Sequence, residues 1–361
     1  MASFKELGLK KDVQEILSQL AYQEPTLIQQ KIIPLLLTGE NLLFTSKTGS
    51  GKTLAFLLGF LNKINPKVGI QMMVVVPTRE LAVQICKECE RIGDALGIKV
   101  GVLHGGKEIV KDKKTITKKT HIMIGTPGRL VQHINAKSIK VGDVRYLVFD
   151  ESDQMFDNGF FKECVYLRSR VSKEAQIVLS SATISNRVTE FMNLLPSYDV
   201  QTIGEQIPKN IVQEYIRSPI KEKNEKLLKF LKTKKYDRAM MFCNRKDRAE
   251  ELANIFPHAK ALHGDVKQTQ RTNLLSQFKH GKIKVLITTD VAARGLHIES
   301  VDMIINYDVS RQPEFYVHRM GRTGRNDKKG YVLTLVCEED QEHFDEIIER
   351  YNLKIKEILI A

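Results

Sequence analysis

No run of about 18 consecutive apolar residues occurs in the 361-residue chain, so no membrane-spanning helix is expected. The opening stretch, MASFKELGLKKDVQ, lacks the apolar core of an export signal and the arginine-rich pattern of a transit peptide; no such targeting is expected. Cysteines are few, odd in number and scattered: Cys86, Cys89, Cys164, Cys243 and Cys337. That pattern argues against a disulfide framework and for free thiols in a reducing interior. Cys86 and Cys89 form a C-x-x-C, but inside an amphipathic stretch rather than a turn, and no second Cys/His pair follows at zinc spacing. Core packing is expected there, not metal or redox chemistry. Low-complexity tails and short-period repeats are also missing.

What is present describes an ordinary packed protein, with 42% hydrophobic and 27% charged residues. The length suits two domains of about 150–200 residues. Lysine plus arginine number 56 against 43 acidic residues, a net charge of +13. A polyanionic partner would exploit that excess through counterion release, although solubility alone accounts for it equally well.

Val13, Ile16, Leu17 and Leu20 recur at helical spacing. After them, short β-branched or aliphatic runs alternate with longer helical patterns. Residues 42–45, 72–76, 100–103, 122–124, 146–149 and 177–179 read as buried strands. A polar Gly/Pro stretch at 204–210 interrupts the alternation, which resumes at 239–242, 260–262, 285–287, 303–306 and 331–336. A closing helix carries Phe344, Ile347, Ile348 and Tyr351. Strands apolar on both faces and separated by helices imply mostly parallel sheets covered on both sides. The expected fold is α/β, with domains at 1–204 and 211–361 joined by a linker at 205–210.

The run 42–45 leads into Ser46-Lys47-Thr48-Gly49-Ser50-Gly51-Lys52-Thr53 and then a helical pattern, the context of a phosphate-binding Walker A loop. Backbone N–H groups there wrap phosphates, Lys52 reaches the β/γ oxygens, and the Thr53 hydroxyl binds Mg²⁺. Ser46 stands where the pattern has its first glycine. About a hundred residues on, the run 146–149 ends in Asp150-Glu151-Ser152-Asp153. Asp150 suits a Mg²⁺ ligand and Glu151 a group that orients or deprotonates the attacking water. An acidic helix cap would be the plainer explanation of these carboxylates if the Walker A loop were not there.

Further motifs follow in order: Phe4 upstream of Ala21-Tyr22-Gln-Glu-Pro25-Thr26-Leu-Ile-Gln29, then Pro77-Thr78-Arg79-Glu-Leu-Ala82, Gly105-Gly106, Thr126-Pro-Gly-Arg129 and Ser181-Ala-Thr183. The second half has Cys243-Asn244, Gln268-Thr-Gln-Arg271, Thr289-Asp290-Val-Ala-Ala-Arg294-Gly295 and His318-Arg319-Met-Gly-Arg322-Thr-Gly-Arg325. Over essentially its whole length the sequence resembles the DEAD-box family of superfamily 2 helicases, with two tandem RecA-like domains. The resemblance implies an ATP-dependent RNA helicase using ATP and Mg²⁺. It assigns nucleotide contacts to Phe4, Tyr22, Thr26 and Gln29, with Gln29 on the adenine edge, and to residues 46–53, Asp150 and Glu151. RNA-backbone contacts fall to Thr78, Arg79, Gly105, Gly106, Thr126, Arg129, Arg271 and Thr289, which grip phosphate and 2′-OH without reading bases. Coupling between the nucleotide and the domains falls to Asp153, Ser181, Thr183, Arg294 and His318. Arg322 and Arg325 act as arginine fingers; Lys52, Asp150 and Glu151 complete the catalytic set.

Three positions depart from the family: Ser152 replaces the alanine of D-E-A-D, Lys47 a common glutamine, and His297 the aspartate that contacts the ribose. Packing onto the first helix is an additional role for Phe4, and a purely structural role is open for His318. Rival functions are an ATP-gated RNA clamp with slow turnover, a DNA helicase and a generic P-loop ATPase; the last leaves the second-half arginines unexplained. A monomer that meets RNA largely without sequence preference is expected. Protein partners would direct target choice, no membrane is involved, and the location is intracellular, in the cytoplasm with the nucleus as alternative.

Overall fold

Strands whose alternate residues are all apolar can be buried only if both faces of their sheet are covered. In the computed structural model, residues 3–46, 49–106, 112, 116, 119–203, 210–293, 298, 301–324 and 328–360 are described. The chain forms two compact units, Met1–Glu205 and Gln206–Ala361. Of the expected linker 205–210, only Asn210 is among the described residues.

The first unit holds β1 (Leu42–Thr45), β2 (Met72–Val75), β3 (Val100–Leu103), β4 (Ile122–Gly125), β5 (Tyr146–Asp150), β6 (Gln176–Ser181) and β7 (Asp199–Thr202). They make one sheet in the order β3-β4-β2-β5-β6-β1-β7, every pairing parallel. Its two faces feed separate apolar clusters, as the period of two demands. Met72, Val74 and Val148 enter one with Phe44, Phe56 and Ile85. Met73, Val75 and Leu147 enter the other with Phe149, Phe156 and Phe191.

The second unit repeats the plan with β8 (Ile211–Arg217), β9 (Ala239–Phe242), β10 (Ala259–Leu262), β11 (Val285–Thr288), β12 (Met303–Asn306), β13 (Gly330–Val336) and β14 (Lys356–Glu357). The order is β10-β11-β9-β12-β13-β8-β14, again wholly parallel. Met240 and Ile304 face one cluster, Met241 and Ile305 the other. The two parallel seven-stranded sheets, each covered on both faces, are the α/β domains that the sequence pattern implies and the RecA-like pair that the family resemblance implies.

Three strands escape the sequence reading, and for one reason. β7 reads DVQT and is at most half-buried, β14 is two exposed residues, and in β8 only Ile211 and Ile216 are buried. β7 and β14 are edge strands, and β8 is flanked on its outer side only by the two residues of β14; so little burial removes the apolar demand that makes a strand legible. The C-x-x-C belongs to the helix Arg79–Gly93, where Cys86 and Cys89 pack with Ile85 and Ile92 in the core. Burial pushes the Cys86 thiol up to about 12. Among the described residues no helix is long and apolar enough to cross a membrane.

Candidate functional site

Parallel strands deliver their following loops to one edge of the sheet, and strand order decides which loops meet. In the first unit β6 lies between β5 and β1, with Asp150 opposite Ser180 and Thr45 opposite Ser181. The loop after β1, the acidic run after β5 and the segment after β6 are therefore neighbours although far apart in sequence.

The loop after β1 is tied at both ends. Ser46 N–H donates to the Ser181 carbonyl at 3.3 Å, and the Ser46 and Ser50 hydroxyls lie 2.6 Å apart. Lys52 opens the helix Lys52–Leu61, is 8% exposed, and donates through Nζ to the Ser46 carbonyl at 2.5 Å. Gly51 caps this helix at φ 96°, a left-handed conformation that a side chain would strain. A Cβ there would also lie 2.5 Å from Gln29 Nε2 and 3.1 Å from Thr26 Oγ1. Gln29 uses both ends of its amide: Oε1 accepts from Thr26 N–H at 2.9 Å and Nε2 donates to the Gly51 carbonyl at 3.3 Å. The expected adenine reader is thus also a clamp on the phosphate loop. Gly51→Ala is expected to weaken ATP binding by about 5–30-fold, since the left-handed backbone costs a side chain roughly 1–2 kcal/mol. Titration with a fluorescent nucleotide checks it, and an affinity equal to the parent's would show that the left-handed turn at Gly51 is not needed for binding.

The strand ends β5 and β6 are interlocked side chain by side chain. Ser180 Oγ donates to Asp150 Oδ1 at 2.7 Å, and Glu151 N–H donates to the same oxygen at 3.1 Å. Burial pushes the Asp150 carboxyl up, opposed by the Ser180 hydrogen bond, the Lys52 charge and the Glu151 amide. Glu151 takes φ 54°, uncommon for a residue with a side chain and found where surrounding structure imposes it. Ser152 Oγ reaches the Ser180 carbonyl at 3.3 Å. Asp153 Oδ2 accepts from Ala182 N–H at 3.2 Å, Thr183 N–H at 2.8 Å and Thr183 Oγ1 at 2.7 Å. The Ser181 hydroxyl donates to the Thr183 carbonyl at 2.6 Å.

The ends of β2, β4 and β3 continue this edge. Thr78 caps the helix Arg79–Gly93, accepting from Leu81 N–H at 3.3 Å. The Arg79 guanidinium covers Gly105 and Gly106, and a side chain on Gly106, at φ 88°, would strike it. Thr126 precedes the helix Pro127–Asn135 and donates its N–H to the Leu103 carbonyl at 3.1 Å.

Two of the expected site residues have partners within the first unit. Arg129, expected to grip RNA, is only 8% exposed; its Nε and Nη2 each lie 2.7 Å from Asp112 Oδ2, which His133 Nε2 also approaches at 3.2 Å. A buried guanidinium is satisfied by a carboxylate before anything else, so Arg129 braces the rim from within. Tyr22 sits against the helix Arg79–Gly93, its hydroxyl donating to Glu88 with Arg91 over its ring. Phe4 is buried in the core beside the first helices, the packing role left open for it.

In the second unit the loops after β9, β11 and β12 converge on a residue that sequence reasoning passed over. Arg319 is 1% exposed. Its Nε and Nη2 donate to the two Asp290 oxygens at 2.7 Å each, and its Nη1 donates to Asn306 Oδ1 at 3.1 Å and the Asp308 carbonyl at 2.8 Å. Phe242 lies under the guanidinium, 5.2 Å from the ring centre. Asn244 belongs to the same assembly, donating to the Val309 carbonyl at 3.1 Å and taking its N–H to Asp308 at 2.9 Å. The signal was present: a strand-end Asp290 and an arginine three residues before Arg322. Thr289 starts the helix Asp290–Ala293, accepting from Ala292 and Ala293 N–H. Arg271 Nη2 donates to the Ala292 carbonyl at 2.6 Å. His318 is half-buried and Arg322 buried. Lys47, Thr48, Arg294, His297 and Arg325 lie outside the described residues.

The sequence pattern of the DEAD/DEAH box helicases matches residues 26–191, and that of the helicase conserved C-terminal domain matches residues 222–327. The DEAD-box ATP-dependent RNA helicase CshA of Geobacillus kaustophilus is 38% identical over 345 residues, covering 93% of this chain and 74% of that protein. Its Bacillus subtilis namesake is 37% identical, with 92% and 69% covered. The chain belongs to the DEAD/DEAH box helicase family. Among solved structures it is similar to S. cerevisiae Dbp5 bound to RNA and ADP BeF3, at 28% identity, a TM-score of 0.86, and 99% and 96% of the two chains covered. A DEAD box protein from Methanococcus jannaschii aligns at 33% identity and a TM-score of 0.57 over 99% of each chain. Against the helicase signature, Ser152 is the one departure inside the described acidic motif, and it carries the hydrogen bond to Ser180 already noted.

Proposed function

We propose that this chain is an ATP-dependent RNA helicase that hydrolyses ATP on binding RNA and locally separates or remodels short duplexes or RNA–protein complexes. The observation that carries this reading is the interlock of β5 and β6, which ties Asp150 to Ser180 and Asp153 to Thr183 side by side, with the Lys52 charge acting on Asp150. Lys52 binds the terminal phosphates and the glycines of residues 49–51 let the backbone approach them. Asp150 and Thr53 are hard oxygen donors of the kind that suit Mg²⁺, and would hold the ion that neutralises charge on the phosphates. Glu151 orients and deprotonates the attacking water, and Arg322 and Arg325 stabilise charge on the transferring γ-phosphoryl group. Thr78, Arg79, the Gly105–Gly106 backbone, Thr126, Arg271 and Thr289 are the RNA-facing set, with Arg129 behind them. Such groups contact sugar and phosphate, so sequence preference is weak and protein partners would choose the targets. Free buried cysteines fit the reducing interior of a cell, where the chain would act as a monomer.

Phosphate release measured with single-stranded RNA, with DNA of the same sequence and with neither tests the reading. RNA is expected to stimulate turnover and to be matched by loss of a short labelled duplex strand. Stimulation by DNA alone, or ATP hydrolysis indifferent to both, would refute it.

A further inference from the structure

Asp150 is a buried carboxylate whose two oxygens are not equivalent. Both hydrogen bonds that reach it among the described residues, from Ser180 Oγ at 2.7 Å and from Glu151 N–H at 3.1 Å, fall on Oδ1. Ser180 is itself 0% exposed, and its position is fixed twice: by the parallel register that sets it opposite Asp150, and by Ser152 Oγ on its carbonyl. The hydroxyl cannot follow solvent or a neighbour elsewhere. Two donors that reach Oδ1 from different elements, the Ser180 hydroxyl on β6 and the Glu151 amide, restrict the carboxylate's plane and so the direction in which Oδ2 is presented, whereas the Glu151 amide alone leaves rotation about the Cβ–Cγ bond open. We propose that Ser180 is a positioning residue for Asp150, holding Oδ1 so that Oδ2 is the oxygen offered to the metal that accompanies ATP. Ser180 lies just ahead of the Ser181-Ala182-Thr183 segment and carries none of that segment's hydrogen bonds to Asp153, so its role is separable from that of the segment.

This inference rests on the nucleotide-site reading of Asp150, and the test separates the two. Binding of a fluorescent ADP analogue is titrated with Mg²⁺, and in EDTA without it, for the parent chain, Ser180→Ala and Asp150→Asn. Thermal unfolding of each protein runs alongside. For Ser180→Ala the Mg²⁺ concentration giving half-maximal enhancement of binding is expected to rise about ten-fold, the worth of one hydrogen bond to a charged group. Its metal-free affinity is expected to stay that of the parent, and its unfolding temperature to fall by only the few degrees that one lost buried hydrogen bond costs. An unchanged Mg²⁺ requirement in Ser180→Ala, with Asp150→Asn losing the Mg²⁺ effect, overturns the positioning role and leaves the site reading standing. Equal loss of affinity with and without Mg²⁺, together with a fall in unfolding temperature well beyond a few degrees, overturns it in favour of a packing role. A Mg²⁺ effect that survives intact in Asp150→Asn overturns the site reading itself.

Discussion

Replacing Glu151 by glutamine is expected to lower RNA-stimulated ATP turnover by about 10²–10⁴-fold, the span typical of a lost general base. The backbone is the reason for expecting so selective an effect. Glu151 sits at φ 54° with its amide committed to Asp150 Oδ1, so the chain turns sharply just where the side chain leaves it. Glutamine keeps the shape, the backbone and the amide bond, and removes only the ability to take a proton. Nucleotide affinity and ATP-dependent RNA retention are therefore expected to stay within a few-fold of the parent. Single-turnover hydrolysis and a filter-binding titration separate the two quantities. A loss of nucleotide affinity as deep as the loss of turnover would show that Glu151 binds the ground state and does not serve the water.

Arg319→Ala is expected to destabilise the second unit by about 3–5 kcal/mol, the usual consequence of removing one partner from a buried ion pair. Asp290 would keep its charge in a setting that now offers no guanidinium, and Asn306 and the Asp308 carbonyl would each lose a donor. Arg319→Lys restores charge without the fork that meets both Asp290 oxygens, and is expected to recover less than half of the loss. Hydrogen exchange resolved by peptide reads the effect where it arises, at the ends of β9, β11 and β12, while exchange in the first unit stays as in the parent. Protection within about 1 kcal/mol of the parent across those strands would mean that the assembly around Arg319 is not what fixes these loops.

The central strands of both sheets were legible because burial on both faces writes itself into composition: LLFT, MMVV, VLIT and MIIN admit no other reading at that length. The edges were not, because DVQT and KE carry no apolar requirement. Motifs at strand ends could be recognised individually, and their roles inferred from chemistry, but the partners within each site follow from strand order, which spacing does not encode. Nothing in the sequence places Ser180 against Asp150 or Gln29 against Gly51. The burial of Arg129 is hidden for the same reason: an arginine in a loop-to-helix turn looks exposed until Asp112 is found beside it. Arg319 was overlooked for the opposite reason, since its neighbours Arg322 and Arg325 fitted a known role and it did not.

The position of β1 bears on how the protein is made. Both of its neighbours come much later in the chain: Leu42 pairs with Val178 on one side and Asp199 on the other. During synthesis the strand that leads into the phosphate loop emerges early yet has nothing to pair with until β6 and β7 have left the ribosome. Long-range parallel pairing of this sort is slow, and leaves apolar backbone unpaired while it waits. LLFT and the helix behind it are thus the part of the first unit most dependent on chaperone cover, and a chain stalled before Gln176 would expose them with no strand to accept them.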